Sequence, residues 1–396
     1  MAVQGRLYQK KEDCFGCSAC SSICSAGAIK MKMDEEGFTY PEIDAKKCIN
    51  CGLCLKACSR HSKRETSAPL NIYAAKNIDE ALRFRSSSGG AFSGLAAYVE
   101  KRGGVICGVA YDDQFCAVHR FAETEPEWST FRTSKYMQSR LEDAFIKVHG
   151  YLRDQRMVLF TGTPCQIDGL KQYLSARNAV TENLLTCDNI CHGAPSPKVW
   201  RDYLDYLQKK GRDKVASVNF RDKQGHGWHG SELTVYGRTG KLLLSGSQKD
   251  DCFFQMFFQH YILRPSCHSC PYACFQRPGD ITIGDYWGVE KYYPDFDDDK
   301  GISLVMCNTE KGQAVWESIS NDYIYFPVKP ELCAQANLIA PAKRNSQREQ
   351  FWEDYQKCGF SGIGKKLRLL PLSCWDKVMQ LLRRAVSKVK RTVFPK

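Results

Sequence analysis

The chain has no run of apolar residues approaching the roughly 18 needed to cross a bilayer. Its first residues, Met-Ala-Val-Gln-Gly-Arg, hold no apolar stretch of the signal-peptide kind. A soluble protein is expected, or at most one lying against a membrane surface. There is no low-complexity segment, and no internal repeat beyond two short cysteine runs. The main body also lacks a strong charge of either sign. The formal net charge is +12, but from Lys365 onward ten Lys and Arg residues face Asp376 alone, so that tail carries +9 and the rest only +3. A nucleic-acid groove across the body is therefore not expected. Cysteine is not lacking. The 396 residues contain 21, too few for a secreted disulfide scaffold and too bound up in motifs to be incidental.

The two runs read Cys14-Phe-Gly-Cys17-Ser-Ala-Cys20-Ser-Ser-Ile-Cys24 and Cys48-Ile-Asn-Cys51-Gly-Leu-Cys54-Leu-Lys-Ala-Cys58. Each is C-x2-C-x2-C-x3-C, which wraps a tight loop around three corners of a [4Fe–4S] cube and sends the fourth cysteine to the neighbouring cube. The expected ligands are Cys14, Cys17, Cys20 and Cys58 for one cluster, and Cys48, Cys51, Cys54 and Cys24 for the other. Zinc knuckles or disulfides do not call for such an eight-cysteine repeat. A proline commonly follows the fourth cysteine, but here Ser25 and Ser59 do. That change leaves the ligands intact and bears on the amides near the sulfurs, hence on the reduction potential. Thiolate ligands must stay reduced, which points to the cytoplasm.

Between the runs, alternating Ile29-Lys-Met-Lys-Met and Phe38-Thr-Tyr-Pro-Glu-Ile flank Asp34-Glu-Glu-Gly37 and predict a hairpin. Residues 61–70 read as a polar linker. Strands and helices then alternate: strands over 104–110, 157–161 and 184–190, and helices over 166–174 and 197–207, the second with proline at its start. This rhythm predicts a parallel α/β core, with ligands beyond the strand ends where Cys165, Cys191 and His192 fall. Short strands at 218–221, 233–236 and 242–245 predict an antiparallel insertion, followed by a helix over 253–263 and a last strand–helix pair at 302–307 and 310–319. The fold class is thus an α+β ferredoxin-like two-cluster module followed by an α/β domain with an antiparallel β insertion.

Two further features carry chemistry. Ser86-Ser-Ser-Gly-Gly90 precedes a helix and reads equally as an anion site of converging N–H groups or as a plain serine cap with turn glycines. Cys165, Cys191, Cys267 and Cys270 lie in turns beside Gly, Pro or His. They would hold either a third [4Fe–4S] cluster or a zinc ion, with Cys274 as a competing ligand. Cys165 and Cys191 also read simply as small buried residues.

Ser86-Ser-Ser-Gly-Gly90, Ser134-Lys-Tyr-Met-Gln-Ser139, Phe160-Thr-Gly-Thr-Pro-Cys-Gln-Ile167, Ile190-Cys-His-Gly-Ala-Pro-Ser-Pro197, Cys267-His-Ser-Cys270 and Gly279-Asp-Ile-Thr-Ile-Gly-Asp-Tyr-Trp-Gly288 together resemble the coenzyme F420 hydrogenase/dehydrogenase beta-subunit family. The resemblance covers about 72–319. It implies FAD in the α/β domain and iron on Cys165, Cys191, Cys267 and Cys270. It further implies phosphate-facing backbone at Ser87, Ser88, Gly89 and Gly90, Lys135 as countercharge, and Thr163 and Gln166 near the flavin ring. The implied domains are 1–62 (two-cluster ferredoxin), 72–210 (flavin-binding α/β), 211–330 (C-terminal-like part with the C-x2-C) and 331–396 (extension). Members reduce a deazaflavin, act on chlorophyll intermediates or belong to polysaccharide-synthesis clusters, and the ferredoxin-fused form is similar to the last group at least as well.

The function expected is a flavoprotein oxidoreductase passing electrons from a ferredoxin-type donor through [4Fe–4S] clusters to FAD and an organic substrate. The alternative is a non-catalytic electron-transfer subunit. His192 and Asp285 are weighed as acids, with a structural hydrogen-bonding role favoured for each. In the tail, Trp375, Val378, Met379, Leu382, Val386, Val389 and Val393 recur at helical spacing among basic residues. That pattern fits an anionic membrane surface, an acidic partner, or docking on the chain's own domain.

Overall fold

The computed structural model describes residues 7–61 and 64–370. Ile29–Met33 (β1) and Thr39–Ile43 (β2) form the expected antiparallel hairpin, with Met31 opposite Pro41. Asp34 closes its turn: Oδ1 accepts the Glu36 and Phe38 N–H groups at 3.1 and 2.9 Å. Ala19, Ile23 and Ala57 of this module are buried in one core with Phe145, Val148, Ile167, Leu170 and Tyr173 of the following domain. A fully buried isoleucine contributes about 1.5–3 kcal/mol, so apolar packing, and not the 61–70 linker alone, seats the module.

The later strands are Asn71–Asn77 (β3), Val105–Tyr111 (β4), Ala117–Ala122 (β5), Val158–Gly162 (β6), Leu184–Asn189 (β7), Val215–Asp222 (β8), Glu232–Gly237 (β9), Leu242–Ser247 (β10), Ile281–Asp285 (β11), Ser303–Cys307 (β12) and Tyr323–Pro327 (β13). Among the described residues, eight form one sheet in the order β13-β3-β12-β11-β7-β6-β4-β5. The parallel core expected from the strand–helix rhythm is its centre, β4-β6-β7-β11. The flanks are antiparallel, which makes the sheet mixed. At the β5 edge the reason is local: residues 112–116 are too few for a parallel crossover. Both the 72–210 and the 211–330 segments supply strands to this sheet. β8, β9 and β10 form the separate antiparallel sheet foreseen as an insertion.

Three helices differ from expectation, Pro164–Ala176 overrunning 166–174 by two residues at each end. Pro197–Gly211 runs longer than 197–207, started by Ser196, whose Oγ accepts the Val199 N–H at 3.2 Å. The helix expected over 253–263 ends at Phe258. His260 turns left-handed (φ 62°), and Tyr261, Ile262 and Leu263 continue buried to a bridge with Pro195. In the extension, Arg348–Lys366 packs Phe351, Trp352, Tyr355, Phe360 and Ile363 into the core around Trp200 and Phe253. The basic helix expected over 375–393 lies outside the described residues. Among those described, no helix is long and apolar enough to cross a membrane.

Candidate functional site

The cysteine runs fold alike. Gly16 and Asn50, and again Ser18 and Gly52, take left-handed φ at equivalent positions (70°, 55°, 61° and 74°), so each loop turns twice and gathers its thiols inward. Burial, then the adjacent Cys58 and Cys14 thiols, push Cys17 up; Cys20 is raised by burial and the same neighbours. Cys54 is raised by burial and by Cys51 and Cys24. Cys58 therefore sits with Cys14, Cys17 and Cys20, while Cys24 sits with Cys51 and Cys54. Backbone N–H groups point at the sulfurs: Ala19 at Cys17, Ser21 at Cys20, Leu55 at Cys54, Arg60 and His61 at Cys58, and Ala28 at Cys24 (3.3 Å). Buried sulfurs facing donors fit thiolate ligands of a metal cluster. Ser59 is buried and hydrogen-bonds the Tyr272 hydroxyl, so the residue in the usual proline position joins the module to the next domain. Ser25 is exposed.

The downstream cysteines converge from three places. Cys165 opens the Pro164–Ala176 helix after β6, Cys191 follows β7, and Cys267 lies within the turn of Pro265–Ser269, with Cys270 directly after it. Burial and mutual proximity raise Cys165, Cys191 and Cys267 to about 12. The Ala194 N–H reaches the Cys267 sulfur at 3.3 Å, and the Thr163 hydroxyl lies 3.3 Å from that of Cys165. Cys274, the competitor, directs its thiol at the Pro271 and Gln276 carbonyls, both at 3.5 Å. Cys17 also feels Cys165, so this set adjoins the nest of Cys14, Cys17, Cys20 and Cys58.

All four downstream cysteines line a cavity of about 450 Å³, a size that holds cofactors and substrates. Ser87, Ser88, Gly90, Lys135, Thr163 and Gln166 line it too, but Gly89 does not. The Gly89 N–H donates to the Ser303 Oγ at 2.9 Å, and a Cβ there would stand 2.3 Å from the Ala75 carbonyl. Gly89 is glycine because the chain packs against β3. Ser87 Oγ accepts the Ser134 N–H (2.8 Å), and Ser88 Oγ donates to the Ile302 carbonyl (2.6 Å). Lys135 Nζ donates to the Thr133 and Thr130 carbonyls at 2.8 and 3.0 Å, and burial brings its pKa down to about 7. Gln166 closes a capping box with Thr163 and donates to Ser139 at 2.9 Å.

His192 and Asp285 reach the cavity, yet both are engaged. His192 Nε2 lies 3.0 Å from His260 Nε2, and its Nδ1 3.1 Å from the Asn337 carboxamide; burial lowers its pKa to about 4. Asp285 accepts from Trp228 (2.9 Å) and Arg221 (3.5 Å). Two lining residues escaped the sequence reading. Arg221, almost fully buried, stacks over Trp287 and leaves its Nε without a partner. Arg264 also lines the cavity; its place directly before Pro265 and the C-x2-C was the available signal.

A two-nest cysteine module set against a cavity-bearing mixed sheet defines an iron–sulfur protein of redox type. Comparison with known proteins sharpens this. Residues 155–329 match the family model for the C terminus of the coenzyme F420 hydrogenase/dehydrogenase beta subunit, and residues 13–61 match that of the 4Fe-4S dicluster domain. The F subunit of the F(420)H(2) dehydrogenase from Methanosarcina mazei is 23% identical over 367 residues, 88% of this chain and 94% of that one. A chain of the xenon-derivatised F420-reducing [NiFe] hydrogenase complex from Methanosarcina barkeri aligns with 78% of this chain and 94% of its own, at 15% identity and a TM-score of 0.46. Residues 155–329 thus carry a C-terminal domain of the coenzyme F420 hydrogenase/dehydrogenase beta-subunit type, and residues 13–61 a 4Fe-4S dicluster domain. The chain is an iron–sulfur oxidoreductase-type protein of electron transfer.

Proposed function

We propose that the chain is a flavin-dependent iron–sulfur oxidoreductase. It exchanges single electrons with a partner protein at the two-cluster module, relays them through a third [4Fe–4S] centre on Cys165, Cys191, Cys267 and Cys270, and delivers a pair by way of FAD to an organic substrate. The observation that carries the reading is the position of the third cysteine set, in the cavity wall on one side and within the field of Cys17 on the other. Kinship with one component of a dehydrogenase supports a redox role beside other proteins. Iron is favoured over zinc by the match of residues 155–329 to the beta-subunit family model, a likeness that implies an iron–sulfur centre on these cysteines.

When bound, the clusters supply one-electron transfer, and the flavin supplies storage of a pair and delivery of a hydride equivalent. The chain's own residues hold and enclose them. Backbone N–H groups steady the thiolates, and the start of the Ala91–Glu100 helix beyond Ser87, Ser88 and Gly90 faces the cavity as a phosphate seat. Phe131, Phe257, Phe258 and Ile283 give apolar wall that excludes water. The partner meets the nest of Cys24, Cys48, Cys51 and Cys54, where Cys51 is exposed and Ile49 is 68% exposed beside exposed Lys46 and Lys47. That chemistry suits an acidic electron carrier.

Anaerobic purification with iron, acid-labile sulfide, zinc and flavin determination tests the reading. About twelve irons and one flavin per chain are expected. About eight irons with no flavin would leave only the electron-transfer alternative, without catalysis.

A further inference from the structure

Among the described residues five arginines are fully buried, and four pair with a carboxylate: Arg83 with Asp298, Arg221 with Asp285, Arg277 with Asp188 and Arg348 with Glu36. Arg264, 1% exposed, does not. Its Nε donates to the Cys14 carbonyl at 2.9 Å, one terminal nitrogen to Gln138 Oε1 at 2.8 Å, and the other to the Thr39 carbonyl at 3.0 Å. The rings of Tyr40 and Phe38 lie 4.3 and 5.5 Å from the guanidinium carbon. All these partners are neutral. A buried cation without counter-charge is strongly unfavourable, so negative charge is needed nearby.

The negative charge on hand is sulfur. Arg264 holds the backbone of Cys14 on one side, while its own carbonyl accepts the Cys267 N–H at 2.9 Å on the other. It lines the same cavity wall as Cys165 and Cys267. It also fixes the close approach of Gly16, where a Cβ would stand 2.8 Å from a guanidinium nitrogen. The cation therefore lies at the boundary of two thiolate nests.

We propose that Arg264 is a shared electrostatic partner of the two adjoining iron–sulfur centres, that of Cys14, Cys17, Cys20 and Cys58 and that of Cys165, Cys191, Cys267 and Cys270. Resting on the function proposed above, it keeps both reduction potentials raised together, so that an electron passes between module and cavity without a large step. One electron leaves one centre and enters the other, no bond forms or breaks, and the guanidinium keeps its proton. Arg264 is a positioning and tuning residue; it donates nothing to substrate.

The test is an anaerobic redox titration of the full iron-loaded chain, followed by electron paramagnetic resonance, with iron counted on the same samples. In Arg264→Gln, two of three centres should shift at least tenfold toward the oxidised form, about 59 mV each for one electron, and the centre of Cys24, Cys48, Cys51 and Cys54 should stay put. Arg264→Lys, which keeps the charge, should move them less than threefold. Gln138→Glu, which retains Arg264 but cancels its charge, should reproduce the Gln shift and decides the matter if Arg264→Gln loses iron. The proposal is overturned if neither centre moves, if only one does, or if Lys shifts them as far as Gln. Wild type with only about eight irons defeats the third-centre reading first, and the shared role with it.

Discussion

Gly169 stands one helical turn past Cys165 and directly against Cys17: a Cβ at 169 would lie 2.8 Å from the Cys17 sulfur. Residues four apart share a helix face, so this one face carries a cavity-side cysteine and the seat of the two-cluster module. Gly169→Ala should push the Cys14–Cys17 loop off its helix at about 1–3 kcal/mol, the usual range for overpacking. Iron should fall by about four per chain while the sheet stays folded. Unchanged iron and unchanged thermal stability would remove the module's seat from this face.

Cys165→Ser should take away the third centre alone. About twelve irons should become about eight, with the ferredoxin-type signals retained. Cys274→Ser serves as the comparison, since its thiol faces the Pro271 and Gln276 carbonyls, and it should leave iron unchanged. Equal loss in both variants would contradict the ligand set.

Arg348 binds the module from the other end of the chain. It donates to Glu36 Oε1 at 2.9 Å, again to Oε2, and to the Leu263 carbonyl at 2.8 Å, all buried. Arg348→Met should cost about 3–5 kcal/mol by stranding Glu36, and the double change Glu36→Met with Arg348→Met should recover much of that. Denaturant unfolding measures both. A double variant no more stable than the single would show that the pair is not what matters.

His119 predicts an acid limit. It is buried, stacks on Phe160, lies 3.1 Å through Nε2 from the Thr161 carbonyl, and has no partner on Nδ1; burial lowers its pKa from 6.5 to about 4. Its folded pKa is below its unfolded one, so between pH 6.5 and 4 the unfolded chain binds the additional proton. Stability is complete above that window and falls by about 3 kcal/mol as pH drops through it. His119→Phe should flatten the fall. Parallel unfolding curves for the two proteins across about pH 4–7 would rule out His119 as the cause.

Much of this was legible in the residues themselves. The paired loops around Cys14 and Cys48 and the hairpin turn at Asp34 follow from neighbours a few positions apart, where spacing and turn chemistry act directly. The anion reading of Ser86–Gly90 shows the limit. Gly90 opens a helix into the cavity, whereas Gly89 packs against Ala75 and Ser303, and both are simply glycine in the sequence. Gln166 likewise turned out to be committed to Thr163 and Ser139. The helix expected over 253–263 stops at Phe258 because His260 takes a left-handed φ and the chain bends so that Tyr261, Ile262 and Leu263 are buried in the core around Trp200.

By itself, the order of residues determined that two cysteine loops turn alike and that a strand–helix core follows, since those outcomes depend on local geometry and apolar periodicity. Only the tertiary structure decided which nest adjoins Cys165, that Ser59 meets Tyr272, and that Arg264 alone among the described buried arginines has no carboxylate. Those pairings join positions far apart in the chain, and they form when a shared apolar core closes around groups whose charge and size must then be satisfied together.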